Sequence, residues 1–143
     1  MDTTIREAFC DADAAHCYPV MRQLRPELRD AAHLAELWSV QARECGYRIF
    51  ALFEGGTVRS LAGFRYARNI VHGAHLYVDD LVTDETARGT GYGAMLLERV
   101  REEARATGCG RILLDTPMGN ALGQRFYFRE GMLATAMRFT EIL

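Results

Sequence analysis

Two hydrophobic periods run along this chain, helical at first and strand-like through the middle. Thr4 to Phe9 reads as a short mixed strand. From Ala14 to Leu24, and again at Leu34, Leu37, Trp38 and Gln41 to Ala42, apolar residues recur at helical spacing. Asp11 or Asp13 can cap the first of these helices, with Pro19 near its first turns, and Asp30 caps the second. Arg25-Pro26-Glu27 separates the two, because proline lacks a donor and restricts the residue before it, and Gly46 stops the second. The period then shortens. Tyr47 to Phe53, Val58 to Tyr66 and His75 to Thr83 are rich in aromatic and β-branched residues, and Glu54-Gly55-Gly56-Thr57 and Asn69 to Gly73 supply the turns of an antiparallel meander. Gly91 to about Thr107 returns to helical spacing, with Gly93, Leu96, Leu97, Val100 and Ala104 on one face and Glu98, Arg101, Glu102 and Arg105 on the other. Gly108 and Gly110 end it before a buried strand, Arg111 to Asp115, whose strand–helix–strand connection should be parallel and right-handed. A helix from Asn120 to Glu130, stopped by Gly131, and a last strand, Met132 to Thr140, complete the expectation. The elements predict an α+β fold: a mixed central sheet, meander plus parallel pair, flanked by about four helices.

Composition narrows the class without naming a chemistry. A chain of 143 residues, 49% hydrophobic and 25% charged, is expected to be one globular domain spanning 1–143. A net charge of −2, from 17 Lys+Arg against 19 Asp+Glu, argues against a general nucleic-acid or membrane surface. No apolar run approaches the roughly 20 residues of a transmembrane helix, and Asp2, Arg6 and Glu7 lack a signal-peptide profile, so a cytoplasmic protein is expected. Cys10, Cys17, Cys45 and Cys109 form no C-x-x-C pair and are expected to be reduced thiols. His16, His33, His72 and His75 are scattered; His72 and His75 could share a strand face, but clustered carboxylate and cysteine partners are missing, and no metal site is expected.

The chemistry concentrates between Val78 and Gly93. An acidic and apolar strand, Val78-Asp79-Asp80-Leu81-Val82-Thr83, leads through Asp84 to Ala87 into Arg88-Gly89-Thr90-Gly91-Tyr92-Gly93 and a helix. Glycines at alternate positions free the backbone for unusual dihedrals and close approach. The first amides of the helix have no intrahelical partners, and the helix dipole adds partial positive charge. Together these suit a phosphate or pyrophosphate, and Arg88 adds a forked cationic donor set. Two binding modes compete. Gly89-Thr90-Gly91-Tyr92-Gly93-Ala94 formally satisfies the dinucleotide pattern G-x-G-x-x-G/A, with Asp115 near the distance of a ribose-binding acid. Against that reading, Asp84 to Arg88 separate the glycines from their strand, and the first half lacks alternating strand–helix units.

Arg88 to Gly93 also reads R-x-x-G-x-G, and here the chain resembles the GNAT superfamily of acetyl-coenzyme A-dependent N-acetyltransferases. Leu81-Val82-Thr83-Asp84 resembles that family's preceding strand end, and Phe126-Tyr127-Phe128-Arg129-Glu130-Gly131-Met132 resembles its F-Y-x-x-x-G-F motif, with Asn120 upstream. Met132 stands where Phe is commoner and Thr83 where Val is commoner. The order of elements matches over nearly the whole chain. The resemblance implies that the amides of Arg88, Gly89, Thr90, Gly91, Tyr92 and Gly93 hold the coenzyme A pyrophosphate. It implies that Leu81, Val82 and Thr83 pair with the pantetheine arm as an added strand, that a bulge splays the strand there, and that Asn120, by default a helix cap, also contacts the pantetheine region.

Direct attack of a primary amine on the thioester, without a covalent enzyme intermediate, is the implied reaction, its oxyanion held by a backbone N–H. Tyr127 matches the family's general acid; a phenol near pKa 10 facing a thiol near 8.5 is mismatched by roughly 2 kcal/mol. The bland alternative is a core aromatic on an amphipathic helix. Tyr77-Val78-Asp79-Asp80-Leu81 resembles the Y-L-E-D-F/L stretch of the polyamine and diamine branch, which makes Asp79 and Asp80 the acidic candidates. Strand alternation sends them to opposite faces, so one of the two should reach the acceptor. An ordinary Asp is about 6.5 units too acidic to deprotonate an alkylammonium, roughly 9 kcal/mol uphill. Binding the cation, or taking its proton through water, is the more economical role, and a solvated strand-end acid is the bland one. Asp84 and Glu85 are read as loop caps. The expected acceptor is a small cationic amine, such as a polyamine, amino acid or aminoglycoside, its pocket drawn from Tyr18 to Asp30, where Arg22, Arg25 and Arg29 cluster. Those arginines either read a substrate carboxylate or, in the blander account, form a solvated helix face. The alternatives are a non-catalytic coenzyme A-binding or sensing module, a protein N-acetyltransferase and, third, a dinucleotide oxidoreductase. The resemblance also admits a homodimer.

Overall fold

A computed structural model describes residues 2–143. Its order is β1 (Thr3–Ala8), α1 (Cys10–Leu24), α2 (Ala31–Cys45), β2 (Arg48–Glu54), β3 (Thr57–Asn69), β4 (Gly73–Thr83), a 3-10 turn (Glu85–Ala87), α3 (Tyr92–Ala106), β5 (Arg111–Leu114) and α4 (Ala121–Arg129). The five strands form one sheet in sequence order; β1 to β4 pair antiparallel, and β5 joins β4 as the parallel pair. By its internal contacts the chain divides into two units, one through Leu113 and one from Leu114 to Leu143. Among the described residues no helix is long and apolar enough to cross a membrane.

The first unit is built around β2. Five consecutive residues of this strand are buried, which requires cover on both faces. Ile49, Ala51 and Phe53 pack with Cys17, Val20 and Met21 of α1 and Leu34 and Trp38 of α2. Alternation sends Phe50 to the opposite face, where its ring lies 4.7 Å from Phe64 and under the Arg99 guanidinium of α3. The amphipathic face expected of α3 is the one it buries: Leu96, Leu97, Val100 and Ala104.

Asp30 caps α2 by accepting from the His33 N–H, and Gly46 ends it in the left-handed region at φ 69°. The expected cap of α1 is corrected. Phe9 occupies the N-cap position and the helix begins at Cys10, so Pro19 lies well inside it. Asp13 reaches back to accept from the Phe9 N–H at 2.9 Å and takes both Arg6 nitrogens at 2.9 and 3.0 Å. The Arg6 hydrogen bonds outweigh burial and hold the Asp13 carboxyl at about 2, below its ordinary 3.8. A depressed carboxyl stabilises the fold above its unfolded pKa, and that stability disappears as pH falls through the folded value. Asp13→Asn should therefore cost about 2 kcal/mol at neutral pH. Urea titrations should also show the wild type losing stability between about pH 4 and 2 more steeply than the variant; parallel profiles would contradict this.

Two further expectations change. β5 ends at Leu114 and is half-buried rather than buried. Met132 to Thr140 is not a strand: the chain after α4 has no ladder, and Leu133, Met137 and Phe139 are exposed. Alternation supplies a face, but a strand exists only where another strand takes its backbone groups.

Candidate active site

β4 carries an irregularity at the acidic pair. Gly63 of β3 faces Asp80 while Phe64 faces Val78, so Asp79 is the extra residue of a bulge. The two acids have different surroundings. Asp79 takes the Arg65 guanidinium at 3.0 Å, and burial raises its carboxyl above the ordinary value against the pull of that arginine. Asp80 is buried; its Oδ2 accepts from the Tyr47 hydroxyl at 2.5 Å and its Oδ1 from Arg25 Nε at 2.9 Å. A second nitrogen of Arg25 donates to the Asp79 carbonyl at 2.8 Å, so one guanidinium spans the bulge. Burial and the adjacent Asp80 charge push the Tyr47 phenol well above its ordinary pKa, keeping it a donor.

This contact depends on a glycine. A Cβ at Gly63 would stand 1.8 Å from the Tyr47 hydroxyl oxygen and 2.5 Å from its ring carbon. Asp80, Tyr47 and Arg25 open on a cavity of about 210 Å³ that is walled by Met21, Leu28, Leu34 and Trp38; Asp79 does not line it. A more open hollow of about 400 Å³ shares Trp38 and Tyr47, and there Glu7 and Arg48 are paired with each other at 2.8 Å. Tyr47, Gly63 and Arg65 carried no motif in the sequence, and Arg25 stood out only as one of a cluster; nothing short of strand register could have singled them out.

Beyond the bulge, β4 runs on past the reach of β5. Gly110 donates to the Ala74 carbonyl, so the four residues of β5 start beside the beginning of β4 and run out by about Asp79. Leu81, Val82 and Thr83 extend past them. Their other edge is held by β3, where the Ser60 hydroxyl donates to the Val82 carbonyl at 2.9 Å and lies 2.9 Å from Thr83 Oγ1. Asp84 then caps the 3-10 turn by accepting from the Thr86 N–H, which holds its carboxyl below the ordinary value.

The glycine loop has the geometry its residues predict. Gly89 and Gly91 stand at φ 81° and 87°, a region closed to most side chains, and a Cβ at either would meet no atom within 4 Å. Backbone conformation, not crowding, calls for glycine there. Gly91 is the N-cap of α3, which has no side-chain cap, so its first amides stay available to a ligand. Arg88 is exposed beside them, Thr90 Oγ1 donates to the Ala87 carbonyl at 2.5 Å, and the Tyr92 hydroxyl donates to Glu54.

Asn120 and Tyr127 lie in the second unit. Asn120 caps α4, with Oδ1 accepting from the Gly123 N–H at 3.0 Å and Nδ2 donating to Thr116 Oγ1 at 3.0 Å. Tyr127 is half-buried on α4 with its ring edge-on to Phe126, and burial raises its phenol above the ordinary value. Elsewhere the His72 and His75 rings approach to 5.7 Å, and among the described residues no three His, Cys, Asp or Glu gather as a metal site would require.

Residues 10–132 match the family model described as acetyltransferase (GNAT) family. The uncharacterized N-acetyltransferase YhdJ of Bacillus subtilis (strain 168) is 37% identical over 113 residues, 79% of each chain. Among solved structures, an aminoglycoside N-acetyltransferase in complex with coenzyme A superposes with a TM-score of 0.85 at 19% identity, covering 99% of this chain and 95% of that one. The same enzyme with the bisubstrate analogue CoA-S-monomethyl-acetylneamine gives 0.84 at 19% identity, covering 100% and 99%. A ribosomal-protein-alanine N-acetyltransferase from Brucella melitensis biovar Abortus 2308 gives 0.83 at 17%, covering 99% and 100%. At these identities the superpositions speak to the fold.

Proposed function

The chain belongs to the acetyltransferase (GNAT) family, and on that premise we propose that it moves an acetyl group from acetyl-coenzyme A to a small primary amine by direct attack. The observation that carries this reading is the sequence of devices from β4 to α3. The end of β4 at Leu81 to Thr83, past the reach of β5, can take an extended amide-bearing arm. Left-handed glycines then turn the chain into an uncapped helix N-terminus with Arg88 beside it, which suits a pyrophosphate. The coenzyme A held by the aminoglycoside acetyltransferase with this fold supports the same ligand here.

In the reaction the ammonium first gives up a proton through water. The amine nitrogen then bonds to the acyl carbon, and the nitrogen loses its second proton to solvent as the carbon–sulfur bond breaks and the thiolate leaves. Tyr127 is assigned the proton donated to that sulfur. Its raised phenol is protonated throughout the neutral range, which suits a donor and makes it a weak one, so hydrogen bonding to the developing thiolate carries much of the effect. Asp80, which lines the cavity, is assigned to the acceptor ammonium, and Asp79 supports the bulge beside it. The similarity of Tyr77 to Leu81 to the polyamine and diamine branch favours an acceptor that carries an ammonium group. The cavity of about 210 Å³ favours a small one, since drug-sized ligands need roughly 300–1,000 Å³.

Tyr127→Phe tests the assignment. Its kcat with an accepted amine should fall about 100-fold with acetyl-coenzyme A affinity unchanged, as calorimetric titration would read it. Turnover equal to wild type would remove Tyr127 from the chemistry. Binding of NADH in place of acetyl-coenzyme A would overturn the whole reading.

A further inference from the structure

Neither acid of the β4 bulge is free to receive a cation. Asp79 is matched by Arg65 and Asp80 by Arg25, each through a guanidinium nitrogen within 3.0 Å. A lone ammonium entering the cavity must therefore displace Arg25 from Asp80 and leave two positive charges side by side. A molecule that brings a carboxylate with its ammonium avoids that conflict. The ammonium takes the place of the guanidinium on Asp80, and the released guanidinium takes the carboxylate.

We propose that the cavity recognises a zwitterionic acceptor, a small α-amino acid with an apolar side chain, by exchanging partners with the Arg25–Asp80 ion pair. This rests on the acetyltransferase reading and adds the substrate class. Four features of the site carry it. Arg25 is the partner that can move, because its side chain is 43% exposed against 11% for Asp80. Asp80 stays in place because the buried Tyr47 hydroxyl holds its other oxygen, so the ammonium meets a fixed carboxylate. The guanidinium is planar and forked, and on leaving Asp80 and the Asp79 carbonyl it offers the two parallel donors that a carboxylate accepts. Of the remaining walls, Met21, Leu28, Leu34, Leu37 and Trp38 are apolar and Gln41 is polar but uncharged, so the larger part of the lining suits an aliphatic or thioether side chain. Glu27, also on the lining, is exposed.

Methionine, its decarboxylated analogue 3-(methylthio)propylamine and putrescine, each assayed with acetyl-coenzyme A, separate the cases. With the wild type, kcat/KM for methionine should exceed that for the thioether amine about 10- to 100-fold, the range of a charge-assisted pair gained or lost. In Arg25→Gln the two should become equal, and Arg25→Lys should restore only part of the difference, because a lysine cannot make the forked contact. A wild-type preference for the thioether amine or for putrescine would overturn the proposal, as would an Arg25→Gln enzyme that keeps the methionine preference. Calorimetric binding of the same ligands to the protein distinguishes this proposal from the reaction it rests on. Methionine bound by wild type and not by Arg25→Gln supports the exchange even if no acetyl group moves. Absent or Arg25-independent binding overturns it even if some other amine is acetylated.

Discussion

Arg88→Glu is expected to weaken acetyl-coenzyme A binding by roughly 100-fold or more while leaving the melting temperature close to that of the wild type. The affinity change follows from reversing a charge at a pyrophosphate site. A charge-assisted hydrogen bond contributes about 1.5–3 kcal/mol, and its replacement by a like charge adds repulsion. The unchanged stability follows from the backbone. Arg88 is exposed, the loop's shape is set by the left-handed Gly89 and Gly91, and a glutamate beside an uncapped helix N-terminus is electrostatically favourable there. Titration calorimetry at two ionic strengths reads both parts. Wild-type affinity should drop as salt rises, and the variant's weaker binding should be less salt-sensitive. An unchanged dissociation constant would place the pyrophosphate elsewhere.

Gly63→Ala should be the most damaging single-methyl change in the molecule. The added carbon would overlap the Tyr47 hydroxyl oxygen at 1.8 Å and ring carbon at 2.5 Å, distances that require the ring to move. Moving it breaks the 2.5 Å bond to Asp80 and leaves a buried carboxylate with Arg25 alone. Overpacking costs about 1–3 kcal/mol and an orphaned charged hydrogen bond about 1.5–3, so a loss of about 3 kcal/mol or more is expected by chemical denaturation. Tyr47→Phe in the same chain relieves the oxygen overlap but not the one at the ring carbon. The double variant should therefore recover part of the loss and show strong non-additivity. A Gly63→Ala protein as stable as wild type would mean that Tyr47 does not hold Asp80 in solution.

What could be read from the residues alone divides along a physical line. Short-range features were legible because each is decided within one turn or one loop. The apolar stripe of α3, the Asp30 cap and Gly46 stop of α2, the Gly-Gly hairpin and the uncapped glycine-rich start of α3 all follow from local dihedral preferences and local hydrogen bonding. Asp11 and Asp13 both satisfy a cap pattern, yet Phe9 is the N-cap of α1, and Asp13 lies inside the helix with its carboxylate on the Arg6 guanidinium of the preceding strand. Met132 to Thr140 has the alternation of a strand but no ladder, since pairing is a property of two segments.

The sequence by itself therefore determined the elements through α4, their order and the left-handed glycine loop before α3, because those rest on interactions between near neighbours. Only the tertiary structure decided the state of the acids. Asp80 meets Tyr47 across 33 residues and Arg25 across 55, and Asp79 meets Arg65 across 14. A carboxylate's charge, partner and access to a substrate are set by what the fold brings within a few ångströms of it. No local pattern encodes that, and strand register with a one-residue bulge at Asp79 does.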